Sequence, residues 1–250
     1  MGQYLLAPAN DEVIKKYLNL LCDNGMHKEK SEVENLMFFI NHMNKQIEGL
    51  MLEIKELHTT LETIQNPQAK TYFKDMVESL QKTIDTSKTK VNEIAENVKV
   101  TIHDSVKSFK TMGVIGLAQS LDMLNIKPAL EGIKKALYFS IRKTEQGLFK
   151  VNQISSETRN AKRHLTNARL LMMGKPARIE SSYQELKLNK VQQVLIGFKE
   201  RSRKMLFHTT SMIKRIDTFQ QKSIKQELKE IKGSKDNGKS IEAFVKTNTR

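Results

Sequence analysis

The side chains best placed to do chemistry in this 250-residue chain are cations. Arg159, Lys162, Arg163 and Arg169 fall within about a third of a helix circumference at 3.6 residues per turn. Lys222, Lys225, Lys229 and Lys232 step by three, four and three along one stripe. Lys199, Arg201, Arg203 and Lys204 form a further cluster, as do Lys214 and Arg215. A basic stripe on a rigid helix can follow phosphates by releasing counterions, without reading bases. The same stripe suits an acidic protein or an anionic membrane surface. The competing reading is a solvated face, and Glu227 and Glu230 partly neutralise the Lys222 stripe.

Other chemistries lack their residues. The six histidines are His27, His42, His58, His103, His164 and His208, and no two lie three or four apart beside an acid. Zinc needs three or four convergent ligands, so the spacing predicts no metal site and no cofactor. Two of these histidines could meet only through a tertiary contact. Cys22 is the single cysteine. It excludes an intramolecular disulfide and fits a reducing compartment. No GxSxG elbow and no Walker-type glycine loop is present. The expectation is a protein that is not an enzyme and takes no small-molecule substrate.

The elements that must position the cations are helices. Leu36, Ile40, Met43, Ile47, Leu50, Ile54, Leu57, Leu61 and Ile64 alternate steps of four and three without a break. Such an a/d seam buries a narrow stripe against another helix. Its first eight residues serve packing within the chain or self-association with a second copy. Ser31 followed by Glu34 reads as a capping box opening this helix, and Asn66-Pro67 as its stop. Before it, Asn10 can cap a short helix through Val13, Ile14, Tyr17, Leu18 and Leu21, ended by Asp23-Asn24-Gly25.

A second pattern runs Phe73, Val77, Leu80, Ile84, Ser87, Val91, Ile94, Val98, Thr101 and Ser105. Its small polar members suit close helix approach or a water-facing stretch. Gly113 and Gly116 interrupt it, Val114 to Ile126 reads as a short apolar helix, and Pro128 starts the next element. Leu130, Ile133, Leu137, Ile141, Leu148, Val151 and Ile154 define a third stripe. It thins after Ser155 and stops at Gly174-Lys175-Pro176. A last helix is predicted from about 180 to 231, then a Gly/Ser/Lys linker at 233–240 and the small apolar island Ile241 to Val245.

The predicted fold is all-α: an elongated antiparallel helical bundle with long coiled-coil segments. Its parts are a short helix and turn (1–28), a long-helix bundle (29–175), a basic C-terminal helix (176–232) and a flexible tail (233–250). Aromatics at 6%, with no Trp, suit packed stripes better than a thick core. The net charge of +14 is uneven: residues 1–66 carry −4, and almost all the excess lies after Gly113. Residues 1–9 lack a secretory pattern, and the apolar run Met112–Ile126 is too short to span a bilayer. A cytoplasmic protein with no transmembrane segment is expected.

Four stretches together resemble a known family. They are YLNLLCDNGMHKEKSEVENLMFFINHMNKQIEGLMLEIKEL at 17–57, the break Gln65-Asn66-Pro67, VKSFKTMGVIGLAQSLDMLNIKPALEGI at 106–133 and RNAKRHLTNARLLMMGK at 159–175. They resemble an uncharacterised domain-of-unknown-function family of long-helix proteins from Firmicutes, especially gut Clostridia, often encoded in conjugative or other mobile elements. The resemblance covers roughly residues 10–175 and carries no catalytic or binding residue. It implies a genomic setting. With the residue reading, it points to a non-enzymatic, scaffold-like coiled-coil protein. Such a protein would use its seam for assembly, as a homo-oligomer, and its basic C-terminal half to meet an acidic partner. The alternative is an accessory nucleic-acid-binding protein using the same basic half.

Overall fold

The computed structural model describes residues 11–114, 117, 126–177 and 188–247, with side chains in the last helix described for 189–218. Among the described residues there are five helices and no strand: α1 (Glu12–Asp23), α2 (His27–Leu61), α3 (Pro67–Met112), α4 (Lys127–Met172) and α5 (Leu188–Thr247). The all-α helical bundle expected from the periodicity is what the chain forms. No described helix is long and apolar enough to cross a membrane. The chain divides into two compact units, Met1–Thr209 and Thr210–Arg250, so the division falls inside α5 and not at Gly174-Lys175-Pro176.

Local chemistry sets the helix ends. Asp11 Oδ1 accepts from the backbone N–H of Val13 and of Ile14, which caps α1. Asn10 lies outside the described residues. Gly25 turns the chain at φ +74°, a conformation that costs glycine nothing. The capping box at Ser31 does not open α2. The helix starts four residues earlier, at His27, behind Met26 with no side-chain cap. Lys28, Glu29 and Lys30 are good helix formers, and propensity carries the helix past the weaker signal. Ser31 instead accepts a long hydrogen bond from Asn35 Nδ2 at 3.4 Å.

Asn66-Pro67 is likewise a start and not a stop. α2 has already ended at Leu61, leaving Ile64 outside the helix. Asn66 Oδ1 accepts from the Ala69 N–H at 2.9 Å, and Pro67 occupies the first turn, where its missing donor costs nothing. Asn66→Ala is expected to cost about 1 kcal/mol. Its thermal midpoint, followed by circular dichroism, drops by a few degrees with no change in helix content.

The first unit packs α2, α3, α4 and residues 188–209 of α5 side by side. The register follows from close approaches. Lys90 lies over Gly132 and Met76 over Gly147, so moving back along α3 moves forward along α4. Met43 meets Thr209, Glu53 meets Arg201 and Glu56 meets Lys190, so α2 and α5 are antiparallel too. Glu145 meets Arg203 and Asn152 meets Gln192, which sets α4 against α5. The four run up, down, up, down, the arrangement that short links between long antiparallel helices favour. α1 adds Ile14, Tyr17, Leu18 and Leu21 against α2 and α3.

The core is a set of stripes. All eight seam residues from Leu36 to Leu61 are buried, most at 0% exposure. The second stripe is buried at its polar members Ser87 and Ser105, which are therefore not water-facing. Each hydroxyl donates to the carbonyl four residues back, on Thr83 and Thr101, so the helix itself satisfies it. On α4 the stripe passes through Thr144 and Gly147, while Leu148 is only half-buried. A Cβ at Gly147 would run into Met76 Sδ and the Leu195 side chain, so three helices converge there.

In the second unit α5 stays helical from 210 to 247. It runs through 233–240, which composition reads as a linker, and into Ile241–Val245. A lone glycine costs a helix only about 1 kcal/mol, and no proline stands in the way. Met212 and Ile213 are buried, and Thr218 Oγ1 donates to the Lys214 carbonyl. Most of the expected apolar helix at 114–126 and all of 180–187 lie outside the described residues, as do the final residues 248–250.

Candidate functional site

α4 outruns its neighbours. Its buried positions end at Val151, which matches the thinning of its stripe after Ser155. The register explains why: Pro67 of α3 and Leu188 of α5 both fall level with about residue 156 of α4. Residues 157–172 therefore extend roughly 24 Å past them at 1.5 Å per residue. Among the described residues nothing covers this stretch, and most of it is exposed.

Two kinds of surface lie along that extension. Val151 and Ile154 continue as Ala161, Leu165, Ala168 and Met172 on the same line. Leu165 is 73% exposed and Met172 88%. Beside this line lies the arc of Arg159, Lys162, Arg163 and Arg169, all exposed. Arg159 Nε donates to its own helix at the Ser155 carbonyl. No ion pair joins any of the four to an acid among the described residues, and Glu157 is the one acid on the extension.

The remaining cations are not brought to this place. Lys199, Arg203 and Lys204 sit about 20 Å further down the bundle, level with the middle of α4. Arg203 Nη2 donates to Glu145 at 2.9 Å, and Arg201 is held by α2, so two of that cluster of four serve the fold. Lys204 is exposed and Lys199 half-buried. Lys222, Lys225 and Lys229 fall on the helical backbone of the second unit, but their side chains lie outside those described. The eight seam residues are buried within their own chain.

Two tertiary pairings between α2 and α5 escape any local spacing. Arg201 Nε donates to Glu53 Oε1 at 3.2 Å, and its Nη1 donates to Gln46 Oε1 at 3.3 Å. The guanidinium lies over Gly49, where a Cβ would come within 2.6 Å of it. Glu53 Oε2 is buried without a hydrogen-bond partner. Burial raises the Glu53 pKa above the ordinary carboxylate value, outweighing the Arg201 charge that lowers it. The other pairing is His42 against His208, with ring centroids 4.6 Å apart. Burial lowers the His42 pKa, and the neighbouring His208 and Lys45 lower it further.

The sign of the Glu53 shift gives a prediction. A carboxyl whose folded pKa is raised contributes stability that is complete below its unfolded value, near 4.5, and is lost as pH rises through the folded pKa. Glu53→Gln removes that contribution and keeps an acceptor for Arg201. The urea midpoint of wild type minus that of the variant is therefore expected to fall as pH is raised from 4.5 towards 7. A difference that grows with pH would show that the Arg201 attraction dominates instead.

One open groove is lined by His58, Glu78 and Asp85 with Lys82, and another by Tyr72, Arg142, Glu145 and Phe149. No group of three metal-ligating side chains converges among the described residues. A family model described as a family of unknown function (DUF6674) matches residues 10–248, and the chain belongs to that family. The match carries the expectation of an uncharacterised family past residue 175 and through α5. A search of the curated proteins finds no match to the chain.

Proposed function

Taking membership of a family of unknown function as the premise, we propose that this is a non-catalytic interaction protein. Its bundle holds the far end of α4 out to an acidic protein partner. The observation that carries this is the continuation of the α4 core stripe past the last described neighbour, alongside four cations. A stripe of Leu165, Ala168 and Met172 wants an apolar face, and the adjoining arginines and lysine want carboxylates. An amphipathic helix with acidic flanks supplies both. A phosphate backbone uses the cations and leaves the stripe in water. A second copy presents the same positive arc and repels. The setting in a bacterial mobile element, implied by the sequence resemblance, belongs to this reading.

The test is site-specific photo-crosslinking from residue 165 in the source cell, with residue 204 as control. A cross-linked protein whose attached segment is acidic and helical supports the reading. Nucleic acid recovered from residue 165, released steeply by salt, would replace it with the phosphate-binding alternative.

A further inference from the structure

We propose that His42 and His208 form a two-imidazole site for a late first-row divalent metal, copper(II) or nickel(II), bridging α2 and α5. The pair is invisible locally, because 166 positions separate its members. The antiparallel register of the two helices sets their rings 4.6 Å apart, centroid to centroid, at an interplanar angle of 66°. With metal–nitrogen bonds of about 2.0–2.1 Å and each ring centre about one ångström further out, two imidazoles at right angles on one ion have centroids roughly 4.5 Å apart. The observed edge contact of the two rings has the centroid spacing that a cis pair on a single ion requires. Copper(II) and nickel(II) take imidazole nitrogen in square or octahedral arrays, with water filling the other positions. Zinc, which wants three or four protein ligands, is not served here, since no third His, Cys, Asp or Glu joins the pair among the described residues.

The nitrogen that matters is uncommitted. His42 Nε2 is buried and has no hydrogen-bond partner. A buried polar atom left unpaired is costly, and an ion would satisfy it. The rings are held from both sides. Phe38 stacks on His42 at 6.1 Å, and Phe207 meets His208 edge-on at 5.7 Å. Phe38 and Phe207 are each 71% exposed, so the pair of imidazoles lies close beneath the surface of the bundle. Lys45 lies near enough to His42 to oppose a cation, which limits affinity without removing the chelate.

The experiment is titration of the full chain with copper(II), supplied as its glycine complex, followed by calorimetry and electron paramagnetic resonance. Wild type is expected to take up one equivalent ahead of any weaker binding, with hyperfine structure from two nitrogens. His42→Asn and His208→Asn each weaken that equivalent by about tenfold or more, because a chelate loses its second arm. Circular dichroism checks that both variants fold. Nickel(II) in excess raises the wild-type thermal midpoint, because it binds the folded state, and leaves the double variant unmoved. His27, His58, His103 and His164 remain in every variant and set the background. Equal copper uptake by wild type and double variant, or a one-nitrogen signal in wild type, would overturn the proposal.

Discussion

Phe198→Ala is expected to destabilise the bundle by about 3–5 kcal/mol, the usual cost of removing a fully buried aromatic. Phe198 is 0% exposed on the α5 row that includes Val191, Leu195 and Met205, all equally buried. The register places it in the layer of Gly147 on α4, Met76 on α3 and the stretch between Leu50 and Ile54 on α2. This is the level where three helices already approach too closely for a Cβ at residue 147. The Met76 and Leu195 side chains already crowd Gly147 at this layer, so a hole left by Phe198 is filled only in part and most of its cost is felt. Against a typical total of about 5–15 kcal/mol the loss is large, and the thermal midpoint should fall by roughly 10 °C or more. Phe207→Ala, nine residues on but 71% exposed, should stay within about 0.5 kcal/mol of wild type. Urea unfolding followed at 222 nm compares the two. Equal, small losses would mean that α5 does not complete the core.

The contrast between those two phenylalanines shows what was legible in the chain. The heptad stripes were, because helical periodicity is local: the Leu36–Leu61 seam, the Phe73–Ser105 stripe and the fading of the α4 stripe after Ser155 all match the observed burial. Boundaries were less so. Ser31 and Asn66 each carry a cap signal, but only Asn66 caps, and it opens a helix where its Asn-Pro step reads as a stop. A cap is one hydrogen bond, and a few good helix formers ahead of Ser31 outweigh it. What lay beyond the sequence was every pairing that depends on the order of the helices around the bundle. Glu53 meets Arg201, and His42 meets His208, only because α2 and α5 run antiparallel in one register. Arg201 and Arg203 look like surface cations until the register of α5 against α2 and α4 hands each an acid. The cations at 159–169 meet no acid among the described residues for the opposite reason, since the described neighbouring helices end before reaching them.

Reversing Arg159, Lys162, Arg163 and Arg169 together to Glu is expected to abolish capture of the acidic partner while leaving the fold untouched. All four side chains are exposed and none is paired with an acid among the described residues, so stability should shift by no more than about 0.5 kcal/mol each. Binding should weaken far more. Like charges then face one another across a desolvated contact, which costs several kcal/mol, or about a hundredfold and upward in affinity. The apolar line separates the two classes of partner. Leu165→Gln with Met172→Gln removes the stripe and keeps every cation. A protein partner packed on that stripe is lost at any salt concentration, since buried apolar area drives such contacts. A nucleic acid is held by counterion release alone, so its affinity is unchanged by the polar pair and falls steeply with salt in the wild type. Measured side by side by fluorescence anisotropy, on a short duplex and on the cross-linked acidic segment, the polar pair separates the two partners. Loss with both variants assigns the α4 end to an acidic helix. Loss with charge reversal alone assigns it to phosphates.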